Sequence, residues 1–206
     1  GMGCCEQESA LSAQNDRQKR TLIAVLIINA LMFAVIFVAS WWAGSSALFA
    51  DAFDNLGDAI TYAVSLYAVG RSNTAKARVA VFKGGLILLG GLLVLGQVTY
   101  KLFNPAVPVF ELMGVFSLVA LTANALCLLL LSKHRHEDVN MSSVWACSRN
   151  DIVANLSVFV AAGLVWMTQS GWPDLLVAFL LAVYLLRSGL EVINHARENL
   201  KPSCSH

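Results

Sequence analysis

Charge is scarce in this chain. Of its 206 residues, 13% are Asp, Glu, Lys or Arg and 57% are hydrophobic, against roughly 25% and 45–50% in soluble domains. No polar stretch is long enough to fold as a soluble module beside the apolar runs, so a single membrane domain is expected. With a net charge of +1, no nucleic-acid partner is expected. A disulfide framework is also missing: Cys4, Cys5 and Cys204 fall in terminal tails, and Cys127 and Cys147 fall in separate apolar runs. The HExxH pair of a zinc hydrolase is absent as well.

What the chain has is apolar length. A crossing needs about 20 residues, and six can be drawn: Thr21 to Trp42, Ser46 to Gly70, Val79 to Phe103, Phe110 to Ser132, Met141 to Thr168 and Leu175 to Ala196. The expected fold is all-α, a polytopic bundle of six transmembrane helices spanning 21–196, with short tails at 1–20 and 197–206. The first run is too long for a signal peptide's apolar region and ends in bulky Trp41 and Trp42, so it is expected to stay in the mature protein. Turns rich in Gly and Pro punctuate one side, at Ala43 to Ser45, Asn104 to Pro108 and Ser170 to Asp174. The other side carries Arg17, Lys19, Arg20, Arg71, Lys76, Arg78, Lys133, Arg135, Arg197 and Lys201, against Lys101 alone opposite. Short basic loops stay in the cytoplasm, so both termini are expected there. A bacterial inner membrane is the expected location.

Into this apolar background the second span places Asp51, Asp54 and Asp58. Carboxylates at membrane depth are costly and need a cation or a water-filled cavity. Asp54 and Asp58 stand four residues apart, on one helical face, and Cys147 and Asp151 in the fifth span repeat the relation. Two facing helices, each with such a pair, make a four-ligand tetrahedral metal site. Three carboxylates and a thiolate suit zinc, with cadmium, cobalt or ferrous iron as alternatives, and disfavour magnesium and calcium. The metal is cargo, and no resident cofactor is expected.

Other residues are lesser candidates. Asp51 lies three residues before the pair and Asn155 one turn past Asp151; both are possible additional ligands. His134 and His136, in the loop before the fifth span, would gather metal ahead of transport or sit in a solvated basic loop. Cys4 and Cys5 with Cys204 and His206 would hold a soft ion at the membrane surface, or bind nothing. Arg149 or Lys83 would serve as partner to an intramembrane aspartate. Cys127 reads as a small buried hydrophobe. Gly84, Gly85, Gly90, Gly91 and Gly96 in the third span permit close helix approach, within the chain or to a second copy.

The run Ser46-Ala47-Leu48-Phe49-Ala50-Asp51-Ala52-Phe53-Asp54-Asn55-Leu56-Gly57-Asp58 resembles the second-helix signature of the cation diffusion facilitator family of metal/proton antiporters. Asn140 to Ser143, leading to Cys147 and Asp151, is similar to that family's fifth-helix entry, and Asn104-Pro105 and Pro173-Asp174 also fit. The resemblance implies a transporter that is not an enzyme, alternating access, exchange of a divalent cation for protons, and a homodimer in the bilayer. It places Asp54 and Asp58 at metal-binding positions. Two departures stand out: Cys147 replaces the family's usual His, which favours softer ions, and about ten residues follow the last span where many relatives have a cytoplasmic metal-binding domain. An intramembrane metalloenzyme and a membrane metal sensor are the alternative readings.

Overall fold

The computed structural model describes residues 16–67, 73–134, 136 and 139–200. They form six helices: α1 (Asp16–Ala43), α2 (Ser46–Tyr67), α3 (Asn73–Phe103), α4 (Phe110–Ser132), α5 (Val139–Thr168) and α6 (Trp172–Leu200). The helices outrun several of the expected spans. α3 starts six residues before Val79, α5 two before Met141, and α6 extends from Trp172 to Leu200, because a helix need not end where the apolar residues end. The loops drawn at 71–78, 133–140 and 170–174 are correspondingly shorter.

Five of the helices, all except α2, contain stretches long and apolar enough to cross a membrane. Those five carry nearly all of the large apolar side chains that face outward, Trp41 at 87% and Phe103 at 82% exposure among them. A water-soluble fold would bury such residues; around a membrane domain they meet lipid. α2 differs because it is the central helix. Its aspartates lower its hydropathy, and Tyr67 at its end is its one large apolar side chain in the exposed set.

α2 is shared by two groups of helices. On one side it packs with α1, α4 and α5, where Ile36, Leu48, Met113, Val158 and Val165 form a closed apolar layer. On the other, Ala50 meets Val94 and Val98 of α3 and Ala178 and Ala182 of α6. Alanines at 47, 50, 52 and 59 keep α2 narrow enough to be enclosed. The contact between α3 and α6 is the most extensive in the fold, whereas α2 and α5 meet over a short stretch.

Both ends of the bundle are tied. Gly44 turns the chain from α1 into α2 at φ +65°, a left-handed conformation that favours glycine. Ser45 then caps α2, its Oγ accepting from the Leu48 amide at 3.1 Å. Asp174, in the first turn of α6, accepts from Ser45 Oγ (2.6 Å) and from the amides of Ser46 (2.9 Å) and Ala47 (3.1 Å). At the same end Lys101 Nζ donates to the Gly44 carbonyl at 2.6 Å. At the opposite end Thr21 Oγ1 lies 3.1 Å from His134 Nε2, joining α1 to the end of α4.

The glycines of α3 divide by role. A Cβ on Gly84 would lie 2.6 Å from Ile193 Cγ1 and 3.0 Å from the Gly189 carbonyl oxygen; one on Gly189 would lie 3.0 Å from the Gly84 oxygen. The α3 and α6 backbones therefore touch through paired glycines. Gly91 meets Leu186 and Gly90 meets Phe53, whereas Gly85 and Gly96 have nothing within 4 Å. Gly84→Val should cost about 2 kcal/mol or more, since neither the neighbouring backbone nor a branched Cγ yields easily. Gly85→Ala should instead stabilise by up to about 1 kcal/mol through helix propensity. Thermal unfolding of both variants in detergent checks the contrast, and equal losses would refute it.

Candidate metal centre

The carboxylates of Asp54, Asp58 and Asp151 converge in the centre of the bundle. Their ligand oxygens all lie within 4.8 Å of one another, with Asp58 and Asp151 buried and Asp54 partly so. Helical periodicity produces this arrangement. Asp54 and Asp58 share a face of α2, and that face crosses α5 where Asp151 projects. The Asp54 and Asp151 carboxyls thus face each other where α2 and α5 cross. Three carboxylates at this separation repel strongly in a low-dielectric interior, so the cluster favours a cation or protons.

A cleft of about 310 Å³ reaches the cluster between α5 and α6, lined by Asp54, Asp151, Asn150, Ser157 and Tyr184 among others. Toward the end where Asp174 caps α2, the way is closed by the apolar layer around Leu48, Met113 and Val165. Rings of Phe33, Phe37, Phe49 and Phe53 stack beside it, with centroids 5.0–6.4 Å apart. Among the described residues, the cluster opens onto this cleft and is covered by apolar side chains toward the Asp174 end.

The remaining sequence candidates fall in several places. The backbone of Cys147 lies in α5, one turn before Asp151; its side chain lies outside the described residues, as do Cys4, Cys5, Cys204 and His206. Asp51 is not part of the cluster. It is buried at 1% exposure, with neither carboxylate oxygen hydrogen-bonded, and Asn155, at 0% exposure, has both side-chain polar atoms unbonded. Because α2 and α5 run in opposite directions, Asp51 and Asn155 both lie about one turn from the cluster toward the Asp174 end. His134 is not in a solvated loop: it is buried against Thr21, because the turn after α4 folds over the start of α1. His136 is exposed. Cys127 is buried, and Asn29 Nδ2 donates to its sulfur at 3.8 Å.

Of the two suggested counter-cations, Arg149 is exposed and lies over the Trp145 ring at 5.3 Å. Lys83 is fully buried and lines a small cavity with Asp54 and Asp58. Asp174, drawn from sequence as the end of a turn, lies in the first turn of α6 and has a structural role. Its partners are about 128 residues away.

Residues 22–200 match the family model described as the cation efflux transmembrane domain. The chain belongs to the cation efflux family, the cation diffusion facilitators. This cation efflux domain is 25% identical over 207 aligned residues to the zinc transporter ZitB of Yersinia pestis, an alignment covering 93% of the chain and 65% of that protein. It is 24% identical over 189 residues to the cadmium, cobalt and zinc/H(+)-K(+) antiporter of Bacillus subtilis (strain 168), covering 85% of the chain and 60% of that protein. The cation efflux domain thus spans less than two thirds of the length of these curated relatives. The family is one of transporters, not of enzymes, and the cation efflux domain is a multi-pass membrane protein.

Proposed function

We propose that this chain moves divalent transition-metal ions out of the cytoplasm in exchange for protons, with zinc as the principal cargo and cadmium, cobalt or ferrous iron as alternatives. The observation that carries the reading is the convergence of Asp54, Asp58 and Asp151 within 4.8 Å at the centre of an apolar bundle. Cys147 is the fourth ligand, one helical turn from Asp151. The relatives support the cargo, being named for zinc and for cadmium, cobalt and zinc.

All six helices span the bilayer in this reading, α2 included because its carboxylates face inward. The bias of Lys and Arg toward the tails and the loops at 71–78 and 133–140 puts both termini in the cytoplasm, in a bacterial inner membrane. Metal enters through the cleft at Asp54 and Asp151, and the layer around Leu48 and Val165 opens on the other side when the helices rock. Ligands must be deprotonated to bind metal, so loading releases protons and protonation drives release. A homodimer has a suitable face in the exposed stripe Phe82, Gly85, Leu89, Leu92 and Gly96 of α3.

Zinc flux in vesicles containing the purified chain tests the exchange. Uptake should follow an imposed proton gradient and stop when an ionophore dissipates it; uptake indifferent to the gradient would sink the proposal. The thiolate has its own test. Cys147→His should shift the ratio of cadmium to zinc uptake toward zinc by about tenfold, as a borderline imidazole replaces a soft thiolate. An unchanged ratio would remove Cys147 from the ligand set.

A further inference from the structure

Among the described residues, Lys83 is the only buried Lys or Arg, at 0% exposure. It sits on α3 at the depth of the aspartates, lining a small cavity with Asp54, Gly57, Asp58, Thr61 and Tyr184. The approach of α2 and α3 there is close, since a Cβ on Gly57 would lie 3.5 Å from Ile87, one turn along from Lys83. An ammonium at membrane depth needs an anionic or strongly polar partner. The acids lining its cavity are Asp54 and Asp58, whose carboxylates lie within 4.8 Å of that of Asp151.

We propose that Lys83 is a positioning residue that pairs with Asp58 and brings the charge of the transport site closer to that of a doubly charged ion. Three carboxylates and a thiolate carry four negative charges against the two positive charges of the cargo, and the ammonium cuts the excess from two to one. Less uncompensated charge is then left buried in an apolar surround. The empty site remains negative enough to attract its cargo, while the ammonium limits how tightly the ion is held. Lys83 touches no metal in this scheme; it acts through Asp58. The inference rests on the transport reading proposed above.

Zinc uptake by the full chain in vesicles, measured against zinc concentration, separates the two. Native protein that moves no zinc defeats the transport reading, and with it the charge-matching role. With native transport established, Lys83→Arg should keep KM and maximal rate within about threefold, because the charge is kept. Lys83→Met should lower KM at least about tenfold and lower the maximal rate with it, because a neighbouring unit charge alters a carboxylate's affinity by one to three powers of ten. A KM that is unchanged or raised in Lys83→Met would overturn the proposal.

If Lys83→Met does not fold, Lys83→Met/Asp58→Asn decides the pairing by thermal unfolding in detergent. The second substitution should restore stability lost in the first, since it removes the uncompensated carboxylate. Failure to restore it would overturn the pairing, whatever the native protein transports.

Discussion

Asp58→Ala should lower zinc uptake by more than about 100-fold, because loss of even an outer partner of a metal ligand typically costs 10- to 100-fold and Asp58 is placed in the inner set. It is one of three carboxylates within 4.8 Å of one another, buried where no water replaces it cheaply. Asp51→Asn is the informative comparison. Asp51 is the more deeply buried of the two at 1% against 4% exposure, but it lies outside the cluster. Its amide isostere should keep uptake within about tenfold of native, the amide being a neutral group of similar size and still able to accept hydrogen bonds. Initial rates in vesicles at matched protein density check both. Equal losses in the two variants would mean that burial, not ligation, explains the Asp58 effect.

Asp174→Ala is expected to be the most damaging change for stability outside the carboxylate cluster, costing about 3 kcal/mol or more. One carboxylate at 1% exposure accepts from a hydroxyl and two amides at the start of α2. Removing it leaves those donors without their acceptor in an enclosed place and takes negative charge from a helix N-terminus, where it is favourable. Asp174→Asn should lose about half as much, since one oxygen still accepts. Thermal unfolding of both variants in detergent checks the order. A stability for Asp174→Ala equal to native would show that the contact contributes nothing.

The parts of this protein that could be read from sequence are those written in a single helix. Four residues separate Asp54 from Asp58 and Cys147 from Asp151, and helical geometry alone puts each pair on one face. That α2 and α5 face each other followed from the chemistry of the ligands. What escaped the sequence depends on how separate helices are registered. Lys83 was one of two plausible cations, and nothing in its neighbours separates it from Arg149; the close α2/α3 approach at Gly57 and Ile87 does. Asp174 looked like part of a turn, because its partners are more than a hundred residues away. His134 sits in a basic segment that reads as solvated, and only the fold brings Thr21 to it. The glycines of α3 announced close packing without saying against what. The structure assigns Gly84 and Gly91 to α6 and Gly90 to α2.

The Asp174 clamp also has a mechanical meaning. It fixes α2 at its first residues, leaving the rest of the helix to act as a lever about that pivot. Asp58 is twelve residues further on, about 18 Å at 1.5 Å per residue. A tilt of about 10° therefore displaces Asp58 by about 3 Å, more than a metal–oxygen bond length of about 2 Å. Asp54, nearer the pivot, swings through a shorter arc. A small rotation would thus pull the two proposed ligands of α2 away from α5 by unequal distances, uncoupling Asp58 first.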